Sequence, residues 1–376
     1  MLNLTHKNYI GGKIMKILVD AFGGDNAPAE IINASLLALF KHKDLKITLV
    51  GKAEIIQDNL IGKKYDQARL QIIDAREIIG CDEAPVEAIR TKKDSSIVRG
   101  IEELKAKPDE YSAFISAGST GALLSAAVLK LGRIKGVNRP VLAPVLPTAK
   151  GTPVILVDSG ANMDAKPINL VQFAMLAHVY MNSVLGIKRP RVALLNVGVE
   201  EAKGNELTKE VFPLLKRLPI NFVGNMEARE FLSGDYDIIV ADGFSGNVLL
   251  KSTEGALKML MGEIKTTIKS GFWSQIGALF MKSKLKDLKK KFDYEGFGGS
   301  VLLGTKGIVI KAHGSTKAKG FLAAIEQAMA VGQSSILTKF EKEFEKMSSM
   351  EHLQNKAEAD KEISSSVQTE IKSEEA

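Results

Sequence analysis

Cysteine is almost absent from this chain: Cys81 is the only one in 376 residues, which also contain a single tryptophan and five histidines. One cysteine cannot close an internal disulfide, and this points to a reducing compartment. Neither the cysteine nor the scattered histidines form a metal-ligand spacing such as C-x-x-C or H-E-x-x-H, so no metal and no other cofactor is expected. Long apolar runs are missing as well. None reaches the roughly 18–20 residues that span a bilayer, and the opening residues lack the pattern of a signal peptide. What is present is ordinary for a cytoplasmic globular protein: 45% hydrophobic and 25% charged residues, with enough length to bury a large core. The formal net charge of +7 asks for an acidic partner. Nucleic acid is the generic one, but no platform of interleaved aromatic and basic residues supports it, and it is not expected here.

The chain alternates. Residues 1–14 read as an extension, and a first strand-like segment follows at 16–20. Short Val/Ile/Leu runs at 47–50, 70–73, 113–115, 154–157, 192–197, 237–241 and 308–312 predict further strands. Amphipathic stretches at 30–41, 95–107, 168–185 and 206–216 predict helices between them. Alternation of this kind predicts an α/β fold, with a largely parallel sheet flanked by helices. In such sheets ligands bind beyond the carboxyl ends of the strands. Polar and glycine residues gather at those ends, at Asp20–Asp25, 116–121, 158–162, Asn196–Gly198, 242–247 and His313–Ser315. Their convergence predicts one large site.

The densest of these clusters is Gly118, Ser119, Thr120 and Gly121, two glycines and two hydroxyls placed where a helix begins. Free N–H groups at a helix start, with the positive end of its dipole, favour an anion. Glycine lets the backbone approach the oxygens closely. A phosphate loop and a plain turn with Ser119 as N-cap both fit. A Walker A loop does not, because no Gly-Lys-Ser/Thr follows.

Two segments break the alternation. Residues 257–293 carry two helical apolar stripes around a tip containing Phe272, Trp273, Ile276, Leu279 and Phe280, which predicts a protruding helical hairpin. Nine lysines between 258 and 291 face only Glu263 and Asp287. Apolar residues flanked by lysines suit an element lying in the interface of an anionic membrane. Packing across a homodimer would use the same tip, and both readings stay open. Residues 339–376 are polar, charged and poor in aromatics, which predicts a disordered tail beyond an α/β domain spanning 15–338.

Six blocks occur in order: Asp20-Ala-Phe-Gly-Gly-Asp-Asn-Ala-Pro28, Ser116-Ala-Gly-Ser-Thr-Gly-Ala122, Val157-Asp-Ser-Gly-Ala-Asn162, Leu195-Asn-Val-Gly198 with Glu200-Glu-Ala-Lys-Gly-Asn205, Ala241-Asp-Gly-Phe-Ser-Gly-Asn247 and Ile310-Lys-Ala-His-Gly314. Together they resemble the bacterial phosphate acyltransferases of phospholipid synthesis, over about residues 15–336. The resemblance implies a fold like that of phosphotransacetylases and isocitrate/isopropylmalate-type dehydrogenases. It also implies the formation of long-chain acyl-phosphate from inorganic phosphate and an acyl thioester on acyl carrier protein. The product would go to a membrane glycerol-3-phosphate acyltransferase, from a homodimer peripherally associated with the inner face of the membrane. On this basis Lys203 and Asn247 are expected to polarise the carbonyl or steady the phosphate. Gly118–Gly121, Gly160, Asn162 and His313 are expected to contact the anion, and Lys130, Arg133, Lys135 and Arg139 to steer the acidic carrier. Phe22 and Asn26 stand where many members carry Met and His, so Asn26 can hydrogen-bond but cannot titrate. A phosphotransacetylase acting on short acyl-coenzyme A and a noncatalytic membrane scaffold are the alternatives. Cys81 as a nucleophile has no histidine near it in sequence. Asp20, Asp25, Asp158 and Asp242 could hold magnesium, but they are also favoured turn and capping residues.

Overall fold

The computed structural model describes residues 14–291 and 298–346. The expected extension (all but residue 14), the last two hairpin residues and the tail from 347 onward lie outside the described residues. Eleven strands form one sheet: β1 (Met15–Asp20), β2 (Leu45–Gly51), β3 (Leu70–Asp74), β4 (Ala113–Ser116), β5 (Val141–Pro147), β6 (Pro153–Val157), β7 (Arg191–Asn196), β8 (Asn221–Glu227), β9 (Ile238–Val240), β10 (Ser300–Leu303) and β11 (Ile308–Lys311). Their order is β3-β2-β1-β4-β11-β10-β5-β6-β9-β7-β8.

The strands show why helices cover both faces. On β1, Ile17 and Val19 join one buried cluster while Leu18 joins the opposite one. On β6, Ile155 and Val157 face one core, and Val154 and Leu156 face another. Period-2 alternation with no polar side leaves no face for water, as in parallel sheets generally. The helix Pro167–Ser183 buries Phe173 and Tyr180 on one of these faces.

The sheet is parallel within two blocks rather than throughout. β3, β2, β1, β4 and β11 run together, as do β6, β9, β7 and β8. Between the blocks β10 is antiparallel to both β11 and β5, and β5 is antiparallel to β6. The two blocks therefore point in opposite directions. Their register makes this productive. Lys311, at the end of β11, is level with Ser300 and, through it, with Pro144 of β5. Ser159, just past the end of β6, donates its N–H to Leu142 O at 3.1 Å. The carboxyl ends of the two blocks thus meet within two residues along β5, about 7 Å at the rise of a strand.

Three strands escaped the sequence reading, β5, β8 and β10, because Pro144, Gly224 and a mere four residues, respectively, hide their patterns. The hairpin is also more divided than expected. Helix Gly243–Lys269 buries only Gly243, Gly246, Leu249 and Leu250 before leaving the body, and the tip is a helix of its own, Phe272–Phe280, followed by Lys282–Lys291. The domain runs past the expected boundary at 338: residues 336–346 are helical and carry Phe340 and Phe344 into the core.

Candidate active site

A cavity of about 320 Å³ opens where the two blocks meet. Its polar side includes Thr120, Ser159, Gly160, Asn247, Lys311 and His313, and its apolar side includes Leu142, Val145, Leu146 and Leu250. Anion-binding chemistry and an apolar surface therefore share one space.

The first polar element follows β4. Ser116 donates its hydroxyl to Asp20 Oδ2 at 2.6 Å and accepts the Gly118 N–H at 3.0 Å. Burial pushes the Asp20 carboxyl up, opposed by the hydrogen bonds from Ser116, Ser96 and the Phe22 and Gly23 amides. This pair fixes the loop, so the Gly118 N–H points at Ser116 rather than outward. Ser119 caps the following helix, Thr120–Ala126, by accepting the Ala122 N–H at 3.4 Å. The N–H groups of Thr120 and Gly121 have no intrahelical acceptor at these positions. Of the four loop residues, Thr120 faces the cavity, and Gly121 packs on Pro85, whose Cγ lies 2.6 Å from where a Cβ would be.

The second element follows β6. Asp158 is fully buried and collects N–H donors from Leu142, Ser159, Gly160, Ala161 and Asn162, plus the Asn162 side-chain amide, at 2.6–3.2 Å. Burial pushes this carboxyl up and those donors oppose it. The turn's amides are thus spent inward. Asn162 sits in this interior network, its Nδ2 also donating to Pro140 O at 2.8 Å, and only Gly160 of the expected pair reaches the cavity.

The third element is the start of the long helix. Asp242 is its N-cap, accepting the Ser245 N–H at 2.9 Å, which leaves Asn247 inside the helix and not as a cap. Asn247 stands over Gly160, where a Cβ would meet its Cγ at 3.5 Å. Lys203 is elsewhere. It is exposed on the loop after β7, its stem lying over Gly198 and its carbonyl accepting Asn196 Nδ2 at 3.1 Å. β7 is two strands from β6, so the strand end from which the Lys203 loop departs lies about 10 Å across the sheet from that of β6, and Lys203 does not line the cavity.

The fourth element follows β11. His313 is exposed, with Nδ1 2.9 Å from Ser315 Oγ and 3.3 Å from the Ser315 N. Asn26 staples this loop, donating from Nδ2 to the carbonyls of Ser315 and Thr316 at 3.0 and 3.1 Å. An amide does this without titrating. Lys311 was not singled out from sequence, although it ends an apolar strand inside one of the six blocks. Its side chain is largely buried, and its ammonium donates to the carbonyls of Ala117, at 3.2 Å, and Ala312. Burial brings its pKa down to about 8.

The candidate carrier-steering residues are mixed: Lys130 pairs with Glu102 at 2.9 Å, Arg133 donates to Asn138 O, and Lys135 and Arg139 are exposed. Among the described residues no group of three His, Cys, Asp or Glu could hold a metal ion. No described helix is long and apolar enough to cross a membrane. On the arm formed by the outer part of helix Gly243–Lys269 with helices Phe272–Phe280 and Lys282–Lys291, the side chains of Phe272, Trp273, Leu279 and Phe280 are exposed and Ile276 is half-buried; Phe280 reaches 87% exposure.

The family described as "Fatty acid synthesis protein" matches residues 15–339. A phosphate acyltransferase of Clostridium tetani is 44% identical over 329 residues, covering 88% of this chain and 98% of that protein. Phosphate acyltransferases of Thermoanaerobacter pseudethanolicus and Clostridium botulinum are 46% and 47% identical, covering 89% and 87% of this chain and 98% and 97% of theirs. Among solved structures, a phosphotransacetylase from Streptococcus pyogenes superposes with a TM-score of 0.58 at 16% identity, over 86% of this chain and 95% of that one. The similarity to that structure is one of fold.

Proposed function

Because the chain belongs to the phosphate acyltransferase family and is therefore an acyltransferase of fatty acid and lipid synthesis, we propose that it makes long-chain acyl-phosphate from inorganic phosphate and an acyl thioester on acyl carrier protein. The observation that carries this reading is the shared cavity, with the helix-start residue Thr120 and Asn247 on one side and Leu142, Val145, Leu146 and Leu250 on the other. The polar side suits a phosphate and the apolar side suits the first carbons of a fatty chain.

The reaction asks for little bond-making help from the protein. A phosphate oxygen attacks the thioester carbonyl carbon, the C–S bond breaks, and the thiolate leaves to be protonated by solvent. Near neutral pH phosphate is already largely dianionic and needs no strong base. The work is to hold two reactants together, worth about 7 kcal/mol or more when orientation is good, and to stabilise the developing oxyanion, about 3–4 kcal/mol for a well-placed donor. The Thr120 and Gly121 amides, with Gly118, Ser119, Gly160, Asn162 and His313 shaping the surrounding loops, are assigned to the phosphate. The Asn247 amide, over Gly160, is assigned to the carbonyl oxygen. Lys203, on the exposed loop after β7, is assigned to the anion's outer side.

The remaining assignments follow the chemistry of the product. A fatty acyl-phosphate is lipophilic at one end, and the exposed apolar tip with lysines on its flanks suits delivery at an anionic membrane, to a membrane glycerol-3-phosphate acyltransferase. The acid-rich carrier suits a chain of net +7. A homodimer joined along the arm fits the same exposed residues.

The test is phosphate-dependent loss of palmitoyl-carrier-protein thioester, with acetyl-coenzyme A as the competing substrate. Turnover of the carrier thioester is expected, falling on the order of 100-fold for Asn247→Ala, the loss of one oxyanion donor. A strong fall is also expected for Lys203→Ala. Turnover of acetyl-coenzyme A alone would move the reading to a short-chain phosphotransacetylase, and no turnover of either would leave a scaffold.

A further inference from the structure

Lys311 is the one cavity-lining ammonium whose side chain is largely buried, and the phosphate assignments above do not use it. Three observations bear on what it does. Its register partner on β4 is Ser116, so it stands beside the loop that leads to Thr120. Two of its three protons go to the carbonyls of Ala117 and Ala312, neutral acceptors at the foot of that loop. Among the described residues no carboxylate lies within ion-pair distance of it, although Asp20 and Asp25 are near enough to act through space. A buried ammonium without a counterion is costly, and proteins keep one where an anion comes to meet it.

We propose that Lys311 binds the attacking phosphate directly, its third proton directed to a phosphate oxygen while the Thr120 and Gly121 amides hold others. The inference rests on the phosphate reading above and adds to it the charge that pulls the anion into the cavity. A helix start alone offers partial charge; a desolvated ammonium beside it offers a full one, in a setting where little water screens it. Two carbonyls fix the amine's position before the anion arrives, so binding needs no large rearrangement of the side chain.

The pH dependence has a defined sign. The titratable groups around the amine are Asp20 and Asp25 on the β1 loop, Lys251 and Glu254 on the long helix, His313 on the loop after β11, and the Cys81 thiol on the loop before residue 85. Burial, with Lys251 adding to it, holds the ammonium at a pKa of about 8 against the opposing pull of Cys81, Asp20 and Asp25. The protonated form is the binding form. Phosphate affinity of the free enzyme therefore falls as pH rises past about 8, where phosphate has already become almost wholly dianionic, its own ionisation being confined to the lower end of the range.

The experiment is calorimetric titration of the full chain with inorganic phosphate alone, from pH 7 to 9.5, for the wild type, Lys311→Met and Lys311→Arg. Expected results are a fall approaching tenfold per pH unit for the wild type above its midpoint, at least a tenfold loss for Lys311→Met at pH 7, and a flat profile for Lys311→Arg. Should Lys311→Met fail to fold, the wild-type profile against that of Lys311→Arg decides. A Lys311→Met affinity within twofold of wild type, or identical slopes in wild type and Lys311→Arg, overturns the proposal. Carrier-thioester turnover, measured separately, tells the two failures apart. Normal phosphate-dependent turnover with an unchanged phosphate KM in Lys311→Met sinks only the role of Lys311. Absent turnover with phosphate binding that still requires Lys311 sinks only the acyl-transfer reading.

Discussion

Gly246 is held to its identity by contact and not by conformation. A Cβ there would lie 1.8 Å from Asp158 O, and one at Gly243 would lie 2.5 Å from Asn162 O. The two glycines, three apart, are the face on which the long helix presses against the Asp158 turn. Sequence alone presents them as helix-start glycines; the reason for them lies more than eighty residues away. Gly246→Ala is expected to lower stability by about 1–3 kcal/mol, as overpacking does. It should also displace Asn247, so that turnover falls by more than the lost stability explains. A shift of the urea midpoint with unchanged activity would detach Asn247 from the reaction. Site legibility follows the same division. Thr120, Gly160, Asn247 and His313 were readable because turn chemistry and strand ends expose them, and the structure brings them to one cavity. Asn162 carries the same signature but serves Asp158, and Lys311 sits in a strand where a lysine attracts no notice.

Elements were legible where period and length agreed. The expected helix at 206–216 is Glu206–Arg217, capped by Asn205, and the runs at 47–50 and 70–73 lie inside β2 and β3. β5 was not legible, because Pro144 within Val-Leu-Ala-Pro-Val-Leu-Pro argues against a ladder. That strand sits at the turning point between the two parallel blocks, so missing it hid their opposite directions. The arm carries a cluster of exposed apolar side chains. Phe272 and Trp273 stack edge to face, with ring centroids 5.5 Å apart, and Trp273 is 79% exposed. Such exposure contributes little to stability but suits burial elsewhere. Trp273→Glu with Phe280→Glu should leave the thermal midpoint within about 0.5 kcal/mol equivalents of wild type. The same variant should lose flotation with anionic liposomes. Undiminished flotation removes the membrane role, and a dissociated dimer by ultracentrifugation assigns the tip to the subunit contact.

At the scale of the whole molecule, composition predicts where the fold should stop, and packing disagrees. The chain turns polar and charged after 338, which reads as a tail. Two phenylalanines in that stretch, Phe340 and Phe344, are nevertheless only 2% exposed, four residues apart on one face of the helix spanning 336–346. Composition averages over a window; burial depends on the few positions that face inward. Ile336 belongs to the same face and the same core, so this helix closes a layer instead of trailing from it. Loss of a buried phenylalanine side chain costs about 3–5 kcal/mol, and whole domains are stable by about 5–15 kcal/mol. Removing both at once should therefore consume most of the margin. A chain ended after residue 346 is expected to melt with the full-length protein and to turn over substrate at the same rate. A chain ended after residue 338 should unfold at markedly lower urea or be recovered only as aggregate. Equal midpoints for the two truncations would return the boundary to the place that composition alone assigns it.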